Sequence, residues 1–119
     1  MCDNAYYFLK GTAMTTQTRI NEIQAIYKEW LAVHERLQSA KQDLAKSADL
    51  MGKLEHFYFD GEYREFFEQI ENGLAVDLTT DGEYSVMSED AIWNAIADHD
   101  STLWDFMRFA VKHLDKAGE

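Results

Sequence analysis

The chain of 119 residues has no proline and one cysteine, Cys2. With no second thiol to pair, no internal disulfide framework is available; a reducing compartment fits best, and the expected address is cytoplasmic. No stretch reaches the roughly 18 to 20 consecutive apolar residues of a membrane span. The run Tyr6-Tyr7-Phe8-Leu9 is also too short for the apolar core of a signal peptide. The chain is therefore expected to be neither exported nor anchored. Positive charge is scarce: 11 lysines and arginines face 22 acids, a net charge of −11. Holding phosphates requires a surplus of cations, so direct binding to nucleic acid is excluded as an expectation.

The sequence also lacks the short motifs of common catalysts. There is no Gly-rich phosphate loop, no nucleophile elbow, no HExxH and no CxxC. Asp98-His99-Asp100 offers three ligand types side by side, but neighbours on a helix point about 100° apart and cannot all reach one ion. It reads as a polar helix junction. Glu55-His56, His34 and His113 have no partners in sequence, and Cys2 has no base beside it. No catalytic residue, metal or cofactor is expected, and the chain reads as a non-enzyme.

What is present is enough apolar surface for one domain: 46% hydrophobic and 13% aromatic residues. The organisation expected is a single acidic helical domain over 1–119, with a lead segment 1–16, a long helix 17–59 and an acidic helix-hairpin-helix-helix region 60–119. In the lead, Tyr6–Leu9 suggests an edge strand closed by Gly11. From Thr18 the pattern turns helical. Ile23, Ile26, Trp30, Val33, Leu37, Ala40, Leu44, Ser47, Met51, Leu54 and Tyr58 recur at alternating steps of three and four, a heptad-like seam. Ala40 and Ser47 weaken its middle, and Gly52 is a candidate break.

A second helix is expected over Gly61 to Asn72, stopped by Gly73. Leu74–Leu78 and Glu83–Val86 around Thr79-Thr80-Asp81-Gly82 read as a β-hairpin, because Asp-Gly suits the positive φ of such turns. A third helix opens at Ser88-Glu89-Asp90 with Ile92, Trp93 and Ile96 inward, and a fourth at Asp100-Ser101. The expected fold is mainly α with an α+β element: a long N-terminal helix, about three shorter helices and a small antiparallel hairpin.

Charge is sharply segregated. Residues 1–54 carry six acids and seven bases, a net of +1; residues 55–111 carry fourteen acids and only Arg64 and Arg108, a net of −12. The plainest explanation is a solvated surface that keeps a monomer soluble. A functional explanation is that carboxylates stand in for phosphates, since duplex DNA offers about one negative charge per 1.7 Å of its axis. The residues that would do so are Glu62, Glu65, Glu68, Glu71, Asp77, Asp81, Glu83, Glu89, Asp90, Asp98 and Asp100. An aromatic core from Phe57, Tyr58, Phe59, Phe66, Phe67, Trp93 and Trp104 would hold them in place. Two rivals are a helical adaptor acting through the 23–58 seam, and a Ca²⁺ or Mg²⁺ site at Asp77, Asp81 and Glu83, which lack EF-hand order.

The stretch Val86-Met87-Ser88-Glu89-Asp90-Ala91-Ile92-Trp93-Asn94-Ala95-Ile96, with the aromatic and acidic residues before it, resembles a family of small bacterial helical domains of unknown function. In that family a Leu-Ser-Glu-Asp-Ala-Ile-Tyr type sequence starts a helix after a basic Leu-Lys-Arg-Gly. This chain has Asp81-Gly82-Glu83-Tyr84 there instead. In size, acidity and order of elements it is also similar to small neisserial DNA-mimic proteins. That resemblance implies a basic partner such as the histone-like HU protein, and no catalytic residues.

Overall fold

A computed structural model describes residues 9–115, with side chains from Thr15 onward. Three helices follow in order: α1 (Leu9–Phe59), α2 (Glu62–Glu71) and α3 (Ala91–Leu114). The chain divides between Ala45 and Lys46 into two units.

The first unit is a stretch of α1 alone. With no proline to stop it, the helix runs back to Leu9, so Leu9, Lys10 and Gly11 are helical rather than the end of an edge strand. Tyr6, Tyr7, Phe8 and Cys2 lie outside the described residues. Side-chain contacts here join residues three or four apart. Gln17 donates to Asn21 at 2.9 Å, Arg19 pairs with Glu22 at 3.1 Å, and the Trp30 ring stacks on His34 at 4.6 Å. Such contacts support a helix, but one helix cannot cover its own apolar face.

The second unit holds the end of α1 with α2 and α3. Gly52 stays inside α1 and does not break it; its place in a long helix costs roughly 1 kcal/mol relative to alanine, which the surrounding turns offset. The helix ends where Asp60 accepts an ion pair from the His56 ring and Gly61 takes φ 108°. That turn lets Phe57 and Tyr58 meet the next helix: the Phe57 ring lies 6.0 Å from Tyr63 and 5.9 Å from Phe66, and Tyr58 lies 5.0 Å from Tyr63. Ile92, at 3% exposure, is the one buried hydrophobic residue among those described. The expected aromatic core is looser than the composition suggests. Phe57 and Tyr58 are half-buried, but Phe59, Phe66, Phe67, Trp93 and Trp104 are exposed.

Helix α2 stops at a Schellman motif, in which Gly73 N–H donates to Ile70 O at 3.0 Å and Leu74 N–H to Gln69 O at 2.9 Å. Gly73 sits at φ 101° with open space where a Cβ would go. Gly73→Ala is therefore expected to cost about 1 to 2 kcal/mol by backbone strain alone. Thermal unfolding of the variant checks this, and an unchanged midpoint would mean the motif is absent.

The hairpin is not formed: among the described residues there is no strand, so the α+β expectation is corrected to an all-helical fold. The turn itself is present, with Gly82 at φ 88°. Its flanks do not pair, and local side-chain bonds hold the backbone at their ends. Asp77 Oδ1 accepts the Thr79 N–H at 2.9 Å, the Thr80 hydroxyl donates to Glu83 O, and Ser85 Oγ accepts the Met87 N–H at 3.1 Å. Leu74, Val76 and Leu78 instead line a hollow of about 280 Å³ with Phe66, Ile70 and Met87. Alternation here reflects docking on α2, not a ladder.

The third and fourth expected helices are one. Asp98-His99-Asp100 contains neither glycine nor proline and continues α3 without a junction. Nor does Ser88 cap it: the N-cap is Asp90, whose carbonyl accepts the Asn94 N–H at 2.8 Å without a side-chain cap bond.

Candidate functional site

Two surfaces carry the residues singled out by sequence. On the first unit, Ile23, Ile26, Trp30, Val33, Leu37 and Leu44 stand between 37% and 60% exposed along α1. Their order at steps of three and four places them along one stripe. Ile20, Ile23 and Tyr27 with Arg19 and Gln24 shape a shallow hollow of about 450 Å³ at its start. Large apolar side chains aligned and exposed in this way mark an interaction surface.

On the second unit all eleven acids are exposed. Glu62, Glu65, Glu68 and Glu71 occupy α2 at every third position. Each step turns back by about 60°, so the first and last differ by about 180° around the helix. They form a band winding halfway round α2 rather than a row on one side. Glu62 and Glu65 also sit in the first turn, where the helix dipole favours negative charge.

Asp77, Asp81 and Glu83 belong to the irregular segment after α2. The Thr79 backbone N–H, followed by its hydroxyl, holds the Asp77 carboxyl below the usual carboxylate range. A carboxyl lowered in this way supports its turn above its unfolded value, and the support is lost as pH falls through the folded one. The Thr79 amide resonance is expected to follow Asp77 with a midpoint below the usual carboxylate range. A Thr79 amide unmoved by acid would show that the turn does not exist in solution.

Glu89 and Asp90, at the entrance to α3, come close to Tyr63 of α2. Burial, then Tyr58, Glu89 and Asp90, push the Tyr63 phenol up, and its hydroxyl donates to Met87 O at 3.4 Å. The structure thus gathers Glu89 and Asp90 beside α2. Asp98 and Asp100 lie further along α3, and Asp100 faces Glu55 across a groove of about 430 Å³ whose walls include Trp93, Ile96 and Leu103.

His99, which also lines this groove, belongs to a pair that the sequence did not suggest. Ser47 Oγ lies 3.1 Å from His99 Nε2, joining α1 to α3. The two residues are 52 positions apart. No local pattern signals the contact beyond a serine on an otherwise apolar seam. A hydroxyl beside an imidazole is the start of a nucleophilic site, but Ser47 sits in the interior of α1, where backbone N–H groups are committed to the helix ladder and offer no oxyanion hole. The geometry is that of a polar tie between helices. Among the described residues no group of three or more His, Cys, Asp or Glu could hold a metal ion. No helix among them is long and apolar enough to cross a membrane.

Neither the curated proteins nor the solved structures contain a match to this chain. A family model does match, and it covers residues 20–109, from the exposed stripe of α1 through most of α3. The chain belongs to the family described as Domain of unknown function (DUF4298).

Proposed function

We propose that the protein is a non-catalytic assembly protein whose helix α1 pairs with another helix through the stripe from Ile23 to Leu44. The observation that carries this reading is the exposure of six large apolar side chains at heptad spacing. Covering the exposed half of a side chain of this size contributes about 1 kcal/mol, so a partner along the stripe supplies what a lone helix lacks. Pairing of this kind is insensitive to salt.

A second reading is favoured by one observation, the net of −12 over residues 55–111 on exposed side chains. In that reading the acids mimic DNA toward a basic DNA-binding protein of the HU type, and binding is steered by charge. The winding of the α2 glutamates requires a partner that wraps the helix rather than one that rests on a flat face.

One comparison separates the two. Association is measured by sedimentation and by capture of purified HU-type protein at about 50 and 300 mM salt, conditions that differ in Debye screening. Assembly through α1 is expected to survive high salt, to be lost in Leu37→Asp and to be unchanged in Glu65→Gln/Glu68→Gln. Capture of the basic protein at low salt only, weakened by the glutamine variant and unaffected by Leu37→Asp, would reverse the preference.

A further inference from the structure

We infer that the partner of the α1 stripe is a second copy of this chain, running antiparallel, with Ile26 of one copy against Leu37 of the other. The inference rests on the pairing reading and adds its partner, direction and register. In heptad terms Ile23, Trp30, Leu37 and Leu44 form one row and Ile26, Val33 and Ala40 the other. Glu22, Glu29, Arg36 and Asp43 flank the stripe on one side, and Tyr27, His34 and Lys41 on the other.

Direction follows from these flanks. In a parallel pair in register, opposite flanks meet, which sets Arg36 beside Lys41 of the second copy, twice by symmetry. In an antiparallel pair, like flanks meet. With Ile26 opposite Leu37, Ile23 falls opposite Ala40 and Trp30 opposite Val33. Large side chains then face small ones, and the weak Ala40 position is filled by an isoleucine. The same register brings Glu29 beside Arg36 of the second copy, again twice. Its unfavourable pair, also met twice, is Glu22 with Asp43 at the outer ends, where Glu22 already has Arg19 at 3.1 Å.

A slip of one heptad either way removes the advantage. One slip opposes Arg36 to Arg36 and Glu29 to Asp43; the other makes two Glu22–Arg36 pairs beside one of Glu29 with Glu29, but sets Leu37 against Arg19. The antiparallel direction also sends the C-terminal ends of the two α1 helices, where the acid-rich residues begin, in opposite directions, whereas a parallel pair brings two regions of net −12 together. Charge therefore favours the antiparallel direction, charge and packing together choose the register, and the apolar stripe supplies the attraction.

The test uses full-length chains carrying Cys2→Ser, into which Ile26→Cys and Leu37→Cys are introduced separately. Under mild oxidation each is expected to stay uncross-linked alone, and the mixture to give a disulfide-linked pair of twice 13.8 kDa. Ready cross-linking of each variant alone would show a parallel pair, which overturns the inference and leaves the pairing reading standing. A chain that sediments as a monomer at all concentrations overturns self-pairing; whether the pairing reading falls with it is then decided by the salt and substitution comparison above.

A second set of variants avoids the apolar positions. Glu29→Arg and Arg36→Glu are each expected to weaken the dimer by about tenfold, and the double exchange to restore it. Both residues are exposed in the single chain. Failure of the double exchange to restore assembly would exclude this register.

Discussion

Replacing Ile92 with alanine is expected to lower the unfolding free energy of the chain by about 2 to 3 kcal/mol, toward the low end for such truncations. The side chain enters at the first turn of α3 and is the one position among those described where water is excluded, at 3% exposure. Partial collapse of the surroundings into the space keeps the loss from being larger. Even so, a small unit with one buried anchor has little stability to give up. Urea unfolding followed by circular dichroism checks the figure. A change below about 0.5 kcal/mol, the usual range for surface sites, would mean that α3 is not docked in solution.

Ala32→Pro is expected to cost at least about 3 kcal/mol, because proline removes a backbone donor and clashes with the preceding turn. Ala32 lies near the middle of the exposed stripe and within a helix described continuously from Leu9 to Phe59. The break would kink the stripe between Trp30 and Val33, so that its two parts could no longer lie along one straight partner helix. Loss of helical dichroism together with loss of assembly is the expected result. Loss of neither would show that α1 is not helical at this point.

How much of this was legible in the sequence depended on whether the signal was local. The stop of α2 was written in Gly73, since positive φ at that step has few other occupants. The stripe of α1 could be read from its spacing. The hairpin could not be judged this way: Asp81-Gly82 specifies a turn, but whether the flanks pair depends on what else is available to them, here the Thr80 hydroxyl for Glu83 O and the hollow with Phe66 and Ile70 for Leu74, Val76 and Leu78. The pause expected at Asp98-His99-Asp100 is absent because these residues, with neither glycine nor proline among them, do not interrupt a helix. The acids of the candidate surface were identifiable as exposed, but their arrangement was not. Steps of three suggest a band along α2, and only the helix geometry shows it turning through half a circle.

The irregular segment between α2 and α3 has a further consequence for how the chain meets proteases. It contains Tyr84, 83% exposed, and backbone that is not locked into a ladder, the features that make a loop easy to nick. Yet from Glu65 to Met107 there is no lysine or arginine. The segregation of charge thus makes this whole stretch, including its most open loop, invisible to trypsin-like enzymes, and leaves cleavage there to proteases that recognise aromatic or acidic residues.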